Sequence, residues 1–231
     1  MADIAARLQE VRERIASAAR GAGRDPGAVT LVAVSKEVDA PAVRAAYAAG
    51  QRHFGENRAQ ELLAKVGALS TPDPPDALIW HFIGRLQRNK VKSIAAAVTL
   101  WHSVDRAEIG EAVARSAPGA RVLIQVNVAG EEQKGGCRPA DAPALLDSLS
   151  GLGLRVEGLM TVPPQVGDPR PHFAALRDLA GGLGLETLSM GMSGDFEAAI
   201  AEGATLVRVG TTVFGSRPGP APPAAPGRSG P

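Results

Sequence analysis

Residues 30–55 read TLVAVSKEVDAPAVRAAYAAGQRHFG, and the order of patterns within them decides the fold. Thr30–Ser35 is a short, mostly apolar run too brief for a helix. Asp39 and Pro41 then open a helical pattern that stops at Gly50, and a second apolar run begins at 52–55. Two strands joined through a helix must lie parallel, because a hairpin turn would leave no room for the crossover. The unit recurs along the chain. Further apolar runs stand at 78–84, 99–104, 121–128, 155–160, 186–191 and 205–210, with helical patterns between them, which makes eight strands in all. The expectation is an α/β fold, a single (β/α)8 TIM-like barrel. An extra N-terminal helix precedes it, because Ile4, Leu8, Val11 and Ile15 keep helical spacing until GAGRDPG stops them. A doubly wound open sheet is the alternative.

Composition narrows the function. Lys plus Arg number 25 against 24 Asp plus Glu, a formal charge of +1, so no global field favours nucleic acid or an anionic membrane surface. A single cysteine, Cys137, rules out an intrachain disulfide and a cysteine-based zinc cluster. The N-terminal stretch alternates charges with alanines, without the apolar core of a signal peptide, and no stretch reaches the length of a membrane span. A soluble, cytoplasmic protein is expected. Residues 1–216 read as one domain, and 217–231, rich in Pro, Gly and Ala, as a disordered tail.

In such a barrel the site forms where strands end and βα loops begin. Lys36 follows the first strand, GEN at 55–57 the second, GRLQRNK at 84–90 the third and HSVDR at 102–106 the fourth. Asn127 ends the fifth, MTVPP at 160–164 follows the sixth, MGMSGD at 190–195 the seventh, and RVGTTVFG at 208–215 closes the eighth. The last two loops suit a phosphate: Gly191, Ser193 and Gly194 precede a helix, and Gly210, Thr211 and Thr212 add small residues with close backbone N–H groups. Ordinary turn glycines with Ser193 as an N-cap would explain either loop alone. Lys36 is either a snorkelling lysine or an amine set on a rigid strand end to form a Schiff base with an aldehyde. Arg208 would point into the barrel mouth, paired with a carboxylate such as Glu157 or touching a cofactor. His81 and His102 lack the spacing and companions of a metal site and read as structural histidines. The basic run at 85–92 has no interleaved aromatics and reads as a solvated helix face. Lys134 reads as an exposed loop lysine, with a second reactive amine as the alternative, and Cys137 as a small packing residue.

Taken together, VAVSK, FGENRAQE, WHFIGRLQRNK, HSVDR, VLIQVNVAGEEQKGG, GLMTVPP, LSMGMSGDFEAAI and VRVGTTVFG make the chain, from about residue 30 to 216, resemble the pyridoxal 5′-phosphate homeostasis proteins. These are single-domain relatives of the alanine racemase N-terminal barrel. The resemblance implies pyridoxal 5′-phosphate as cofactor, held as an aldimine on Lys36. Ser193 with the Gly210 and Thr211 backbone would hold the phosphate, and Arg208 would approach the pyridine nitrogen. Asn57 and Met160 would line the ring pocket, His81 would sit near the cofactor rim, and Lys134 would assist cofactor exchange.

An arginine at the ring nitrogen keeps the pyridine unprotonated and a weak electron sink. In the racemases resembled, a second base, a tyrosine, comes through a further domain and a dimer, whereas this chain offers one tyrosine, Tyr47, placed in the middle of a helical pattern. The reading is a non-catalytic carrier or regulator in vitamin B6 homeostasis. A weak amino-acid racemase or another pyridoxal-dependent enzyme is one alternative, and a protein-interaction module whose bound cofactor is only a sensor is the other. Its partners would be the cofactor and the pyridoxal-dependent apoenzymes that receive it, without nucleic acid or membrane, and a monomer is expected.

Overall fold

The structure, a computed structural model, describes residues 2–69, 78–131, 134–164 and 166–215. The tail expected at 217–231 lies outside the described residues. All eight expected strands form: β1 Thr30–Val34, β2 His53–Glu56, β3 Ile79–Phe82, β4 Leu100–Val104, β5 Arg121–Gln125, β6 Arg155–Met160, β7 Thr187–Ser189 and β8 Leu206–Val209. They close in sequence order into one parallel barrel, with β1 pairing β8 so that Val32 faces Arg208 and Ala33 faces Val209. The open-sheet alternative is thereby excluded.

The helices follow from local chemistry. Ahead of α2 (Ala40–Ala48), the Asp39 carboxylate accepts from the Ala42 N–H, and a proline stands in the first turn, where no N–H is needed. The remaining crossovers are α3 (Ala59–Leu69), α4 (Arg88–Ile94), α5 (Ala107–Ser116), α6 (Ala142–Gly151), α7 (Arg170–Gly182) and α8 (Phe196–Ala201), with a last turn α9 (Thr211–Phe214). The leading helix α1 (Ala2–Gly21) buries Leu8, Val11, Ile15 and Ala19 against α8, α9 and α2. It covers the flank beside the β8–β1 seam.

Strand residues point alternately inward and outward. The outward set, with Phe54, Trp80, Phe82 and Trp101, packs under the helices, whereas Val32, Leu100, Leu123, Met160 and Leu206 pack inside the barrel. Burial on both faces is why β1 shows no polar alternation. β5 and β7 are among the strands that end earlier than their patterns. β5 stops at Gln125 because the chain bends back on itself, with Asn127 N–H donating to the Cys137 carbonyl (2.8 Å) and Cys137 N–H to that of Gln125 (2.9 Å). Asn127 therefore belongs to this bend and not to the strand. β7 stops at Ser189, and Gly191 then turns at a φ of +91°, where a Cβ would also stand 2.6 Å from Ala199 Cβ.

Candidate functional site

At the C-terminal mouth, Lys36 leaves β1 just before Glu37, which holds the left-handed conformation (φ +60°) with its N–H donated to Glu61 Oε2 at 2.6 Å. A second lysine lies close by. Lys65 Nζ donates to the Ser35 carbonyl and to Glu56 Oε1, each at 2.5 Å, while Ser35 Oγ donates to the same carboxylate oxygen at 2.6 Å. Glu56 points outward from β2, is fully buried, and has its carboxyl held above the usual carboxylate range by burial, against the lowering effect of Lys65 and Ser35. Lys65 is thus tied down, whereas the half-buried Lys36 makes no hydrogen bond or ion pair to a described residue. Of these two amines at the end of β1, Lys65 is structural and Lys36 is unpaired among the described residues.

The β7–α8 and β8–α9 loops meet over the end of β1. Gly210 N–H donates to Ser193 Oγ at 3.3 Å, and a Cβ on Gly210 would stand 3.2 Å from the Val34 carbonyl oxygen. Asp195 orders the first loop by accepting from Met192 N–H at 2.5 Å. The first-turn amides of Thr211 and Thr212 have no acceptor within α9. The loops therefore gather a hydroxyl and unspent N–H donors beside the strand that carries Lys36, a donor set suited to a phosphate.

Arg208 lies inside the barrel, 4% exposed. Its Nη1 donates to Ser189 Oγ (2.7 Å) and its Nη2 to the Thr161 carbonyl (2.8 Å). Burial lowers its pKa to about 10, so it stays a cation near neutral pH. The carboxylate partner considered for it is elsewhere: Glu157 pairs with Arg121, Nε to Oε1 at 2.5 Å, because Arg121 and Glu157 stand toward the N-terminal ends of β5 and β6, far down the barrel from its mouth. Below Arg208, His102 Nδ1 lies 2.8 Å from Ser189 Oγ, His81 Nδ1 lies 2.8 Å from His102 Nε2, and His53 Nδ1 lies 2.9 Å from His81 Nε2. Burial holds His102 well below the usual imidazole range and takes His81 to about 3, with the neighbouring cationic or imidazole groups adding to both shifts.

His81 is therefore a core residue beneath the site and not a rim residue, since position 81 is inward-facing in β3 and its ring points along the barrel axis toward His102. Met160, at the end of β6, is buried in the interior cluster. Asn57 follows β2, packs so closely on Gly84 that a Cβ there would meet the Asn57 carbonyl at 2.0 Å, and has a buried side-chain oxygen with no partner among the described residues. Lys134 is not the exposed loop lysine expected but half-buried: its Nζ donates to the Pro163 carbonyl (2.7 Å) and pairs with Glu131 (2.5 Å), tying the β5 loop to the segment after β6. Burial raises the Cys137 thiol to about 11, as befits a packing residue. Arg85, Arg88, Lys90 and Lys92 are exposed along α4 and the turn before it. Among the described residues, no cluster of three or more His, Cys, Asp or Glu could hold a metal ion, and no helix is long and apolar enough to cross a membrane. Ser189, Glu56, Lys65 and His53 escaped the sequence reading. Only inward parity on β7 and β2 could have marked Ser189 and His53, and nothing local marks the Glu56–Lys65 pair.

An eight-stranded barrel with these loops at its mouth defines a class: residues 6–218 match the family model of the alanine racemase N-terminal domain. Within it, the chain is 49% identical over 227 residues to a protein of Pseudomonas aeruginosa named pyridoxal phosphate homeostasis protein, covering 94% of this chain and 97% of that one. A protein of the same name from Escherichia coli K12 is 40% identical over 230 residues, covering 94% and 98% of the two chains. The solved structure of PipY from Synechococcus elongatus with PLP bound superposes with a TM-score of 0.79 at 38% identity, covering 92% of this chain and all of PipY. The chain belongs to the pyridoxal phosphate homeostasis protein family.

Proposed function

We propose that this protein binds pyridoxal 5′-phosphate through a Schiff base on Lys36 and acts in the cytoplasm, as a monomer, as a carrier or regulator of the cofactor with no dedicated reaction of its own. The observation that carries this reading is one free amine at the end of β1, beside two loops that present unspent hydrogen-bond donors. The PLP-bound PipY structure and the naming of the relatives support it.

When bound, the cofactor supplies an aldehyde that condenses with an amine, releasing water, and that passes to an incoming amine by exchange. Lys36 Nζ is the amine. Ser193 Oγ and the amides of the β7 and β8 loops hold the phosphate, while Asn57 and Met160 border the ring. Arg208 donates an N–H toward the ring nitrogen and keeps its own proton, so the ring is a poor sink for carbanion charge. Lys134, by fastening the β5 loop to Pro163, governs how open the site is to an exchanging amine.

Racemisation would require a second base opposite Lys36. The single tyrosine, Tyr47, lies near the C-terminal end of α2 with Arg52 stacked on its ring at 4.1 Å, at the opposite end of the barrel from Lys36. That favours storage and delivery over turnover. The test is the visible spectrum of the purified protein with added pyridoxal 5′-phosphate, followed by borohydride reduction and peptide mass analysis. A reducible chromophore trapped on Lys36 and absent in Lys36→Ala is expected; a protein that stays colourless refutes the reading. Release of α-hydrogen from amino acids into deuterated water, lost in Lys36→Ala, would instead establish an enzyme.

A further inference from the structure

We propose that Ser189, His102, His81 and His53 form one polarised hydrogen-bonded chain, every ring a neutral Nε2–H tautomer, that holds the Arg208 guanidinium in position. The proposal rests on the reading of Arg208 as the contact to the cofactor's ring nitrogen. Direction in the chain follows from counting protons. A guanidinium only donates, so Ser189 Oγ must accept from Arg208 Nη1. The hydroxyl's own proton then has a single acceptor among the described residues, His102 Nδ1 at 2.8 Å. That nitrogen is therefore bare and the ring proton sits on Nε2, which donates to His81 Nδ1. The same step repeats at His81, whose Nε2–H donates to His53 Nδ1. His53, the first residue of β2, also lines a cavity of about 410 Å³ together with Arg12, Gln51 and Arg52 among others.

The reverse direction fails at its first link. His102 Nδ1–H and Arg208 would both donate to Ser189 Oγ, leaving the hydroxyl proton with no acceptor among the described residues. Polarised outward, the three rings aim their electron-rich Nδ1 edges toward a buried cation that has no ion pair with any described carboxylate. A buried guanidinium ordinarily requires such a partner. Aligned imidazole dipoles take its place here, reinforcing one another in a low-dielectric interior. Ser189 and His102 are thus positioning residues for Arg208.

The experiment is nitrogen-resolved NMR of the histidine side chains in the cofactor-free protein, near neutral pH. His81 and His102 should each be neutral with the proton on Nε2; a proton on Nδ1 of either ring, or a cationic ring, overturns the proposal. In the pyridoxal-phosphate-loaded protein, Ser189→Ala should shift the visible band and weaken retention by about tenfold, the scale of one hydrogen bond to a charged group. Ser189→Thr, which keeps the hydroxyl, should restore both. An Ser189→Ala spectrum and retention identical to wild type would also overturn it. The two readings fail separately: a colourless protein with Nε2–H rings refutes cofactor binding alone, and a coloured protein with Nδ1–H rings refutes the chain alone.

Discussion

Replacing Lys65 by methionine should destabilise the fold strongly at neutral pH and much less in acid. Lys65 and Glu56 meet at 2.5 Å with side-chain exposures of 7% and 0%, a pair almost removed from water. At an effective dielectric constant of about 20, their gross attraction is on the order of 6–7 kcal/mol. Desolvating the two ions offsets most of it, so the intact pair contributes little net stability. Its removal from one side is different. Lys65→Met leaves Glu56 a buried carboxylate with only Ser35 Oγ as partner, at a cost of about 3–5 kcal/mol. The pH dependence follows from the direction of the Glu56 shift. Its folded pKa is raised by burial, so its contribution is most favourable below the unfolded value of 4.5 and is lost as pH rises through the folded one. Methionine removes two of the influences that lower that pKa, the Lys65 hydrogen bond and its charge, so the window widens toward neutrality. Urea unfolding at a series of pH values from about 4.5 to 7.5 measures it. The difference from wild type should shrink steadily as pH falls, and Glu56→Gln combined with Lys65→Met should recover much of the loss at neutral pH. A loss below about 1 kcal/mol, or one independent of pH, would refute the reasoning.

Three further expectations are open to measurement. His81 is held near 3 in the fold by burial, with the His53 imidazole and the Arg121 cation assisting, against 6.5 when unfolded. Its stabilising effect is therefore present above about pH 6.5 and is lost toward pH 3 by up to about 1.4 kcal/mol per pH unit. His81→Gln should flatten that acid slope in denaturant titrations. Gly191→Ala places a Cβ 2.6 Å from Ala199 Cβ at a φ of +91°, so it should lower stability by about 1–3 kcal/mol and weaken pyridoxal phosphate retention by displacing the β7 loop. Lys134→Ala removes the tie to Pro163 and Glu131 and should speed transfer of the cofactor to an added amine, read by stopped-flow absorbance, with under about 1 kcal/mol lost in unfolding.

The recurrence of strand and helix patterns fixed the architecture in advance, because a parallel strand buried on both faces must be a short, continuously apolar run and its crossover must be an amphipathic helix. All eight runs became strands, and the residues beyond their ends could be assigned to one mouth without coordinates. That Lys36, Ser193 and Gly210 lie at the barrel mouth was legible for the same reason: position at a strand end is a local property. Where strands stop was less legible. Asn127 bends away from β5 through its bonds to Cys137, ten residues further on, a contact no window of sequence contains.

Partners across the barrel were invisible altogether. Arg208 invited a carboxylate, and the fold gave it Ser189 and a column of imidazoles, while Glu157 went to Arg121 at the other end. Lys65 and Lys36 look alike as letters, yet one is bound to Glu56 and the other has no partner among the described residues. The reason is geometric. Inward or outward direction follows from alternation along a single strand, and so can be read locally. Which inward side chains touch depends on the registers of all eight strands at closure, a property of the whole sheet. The sequence by itself determined the barrel and the location of its mouth; only the tertiary structure decided which buried polar groups meet, and hence the charge and direction of the hydrogen bonds beneath the site.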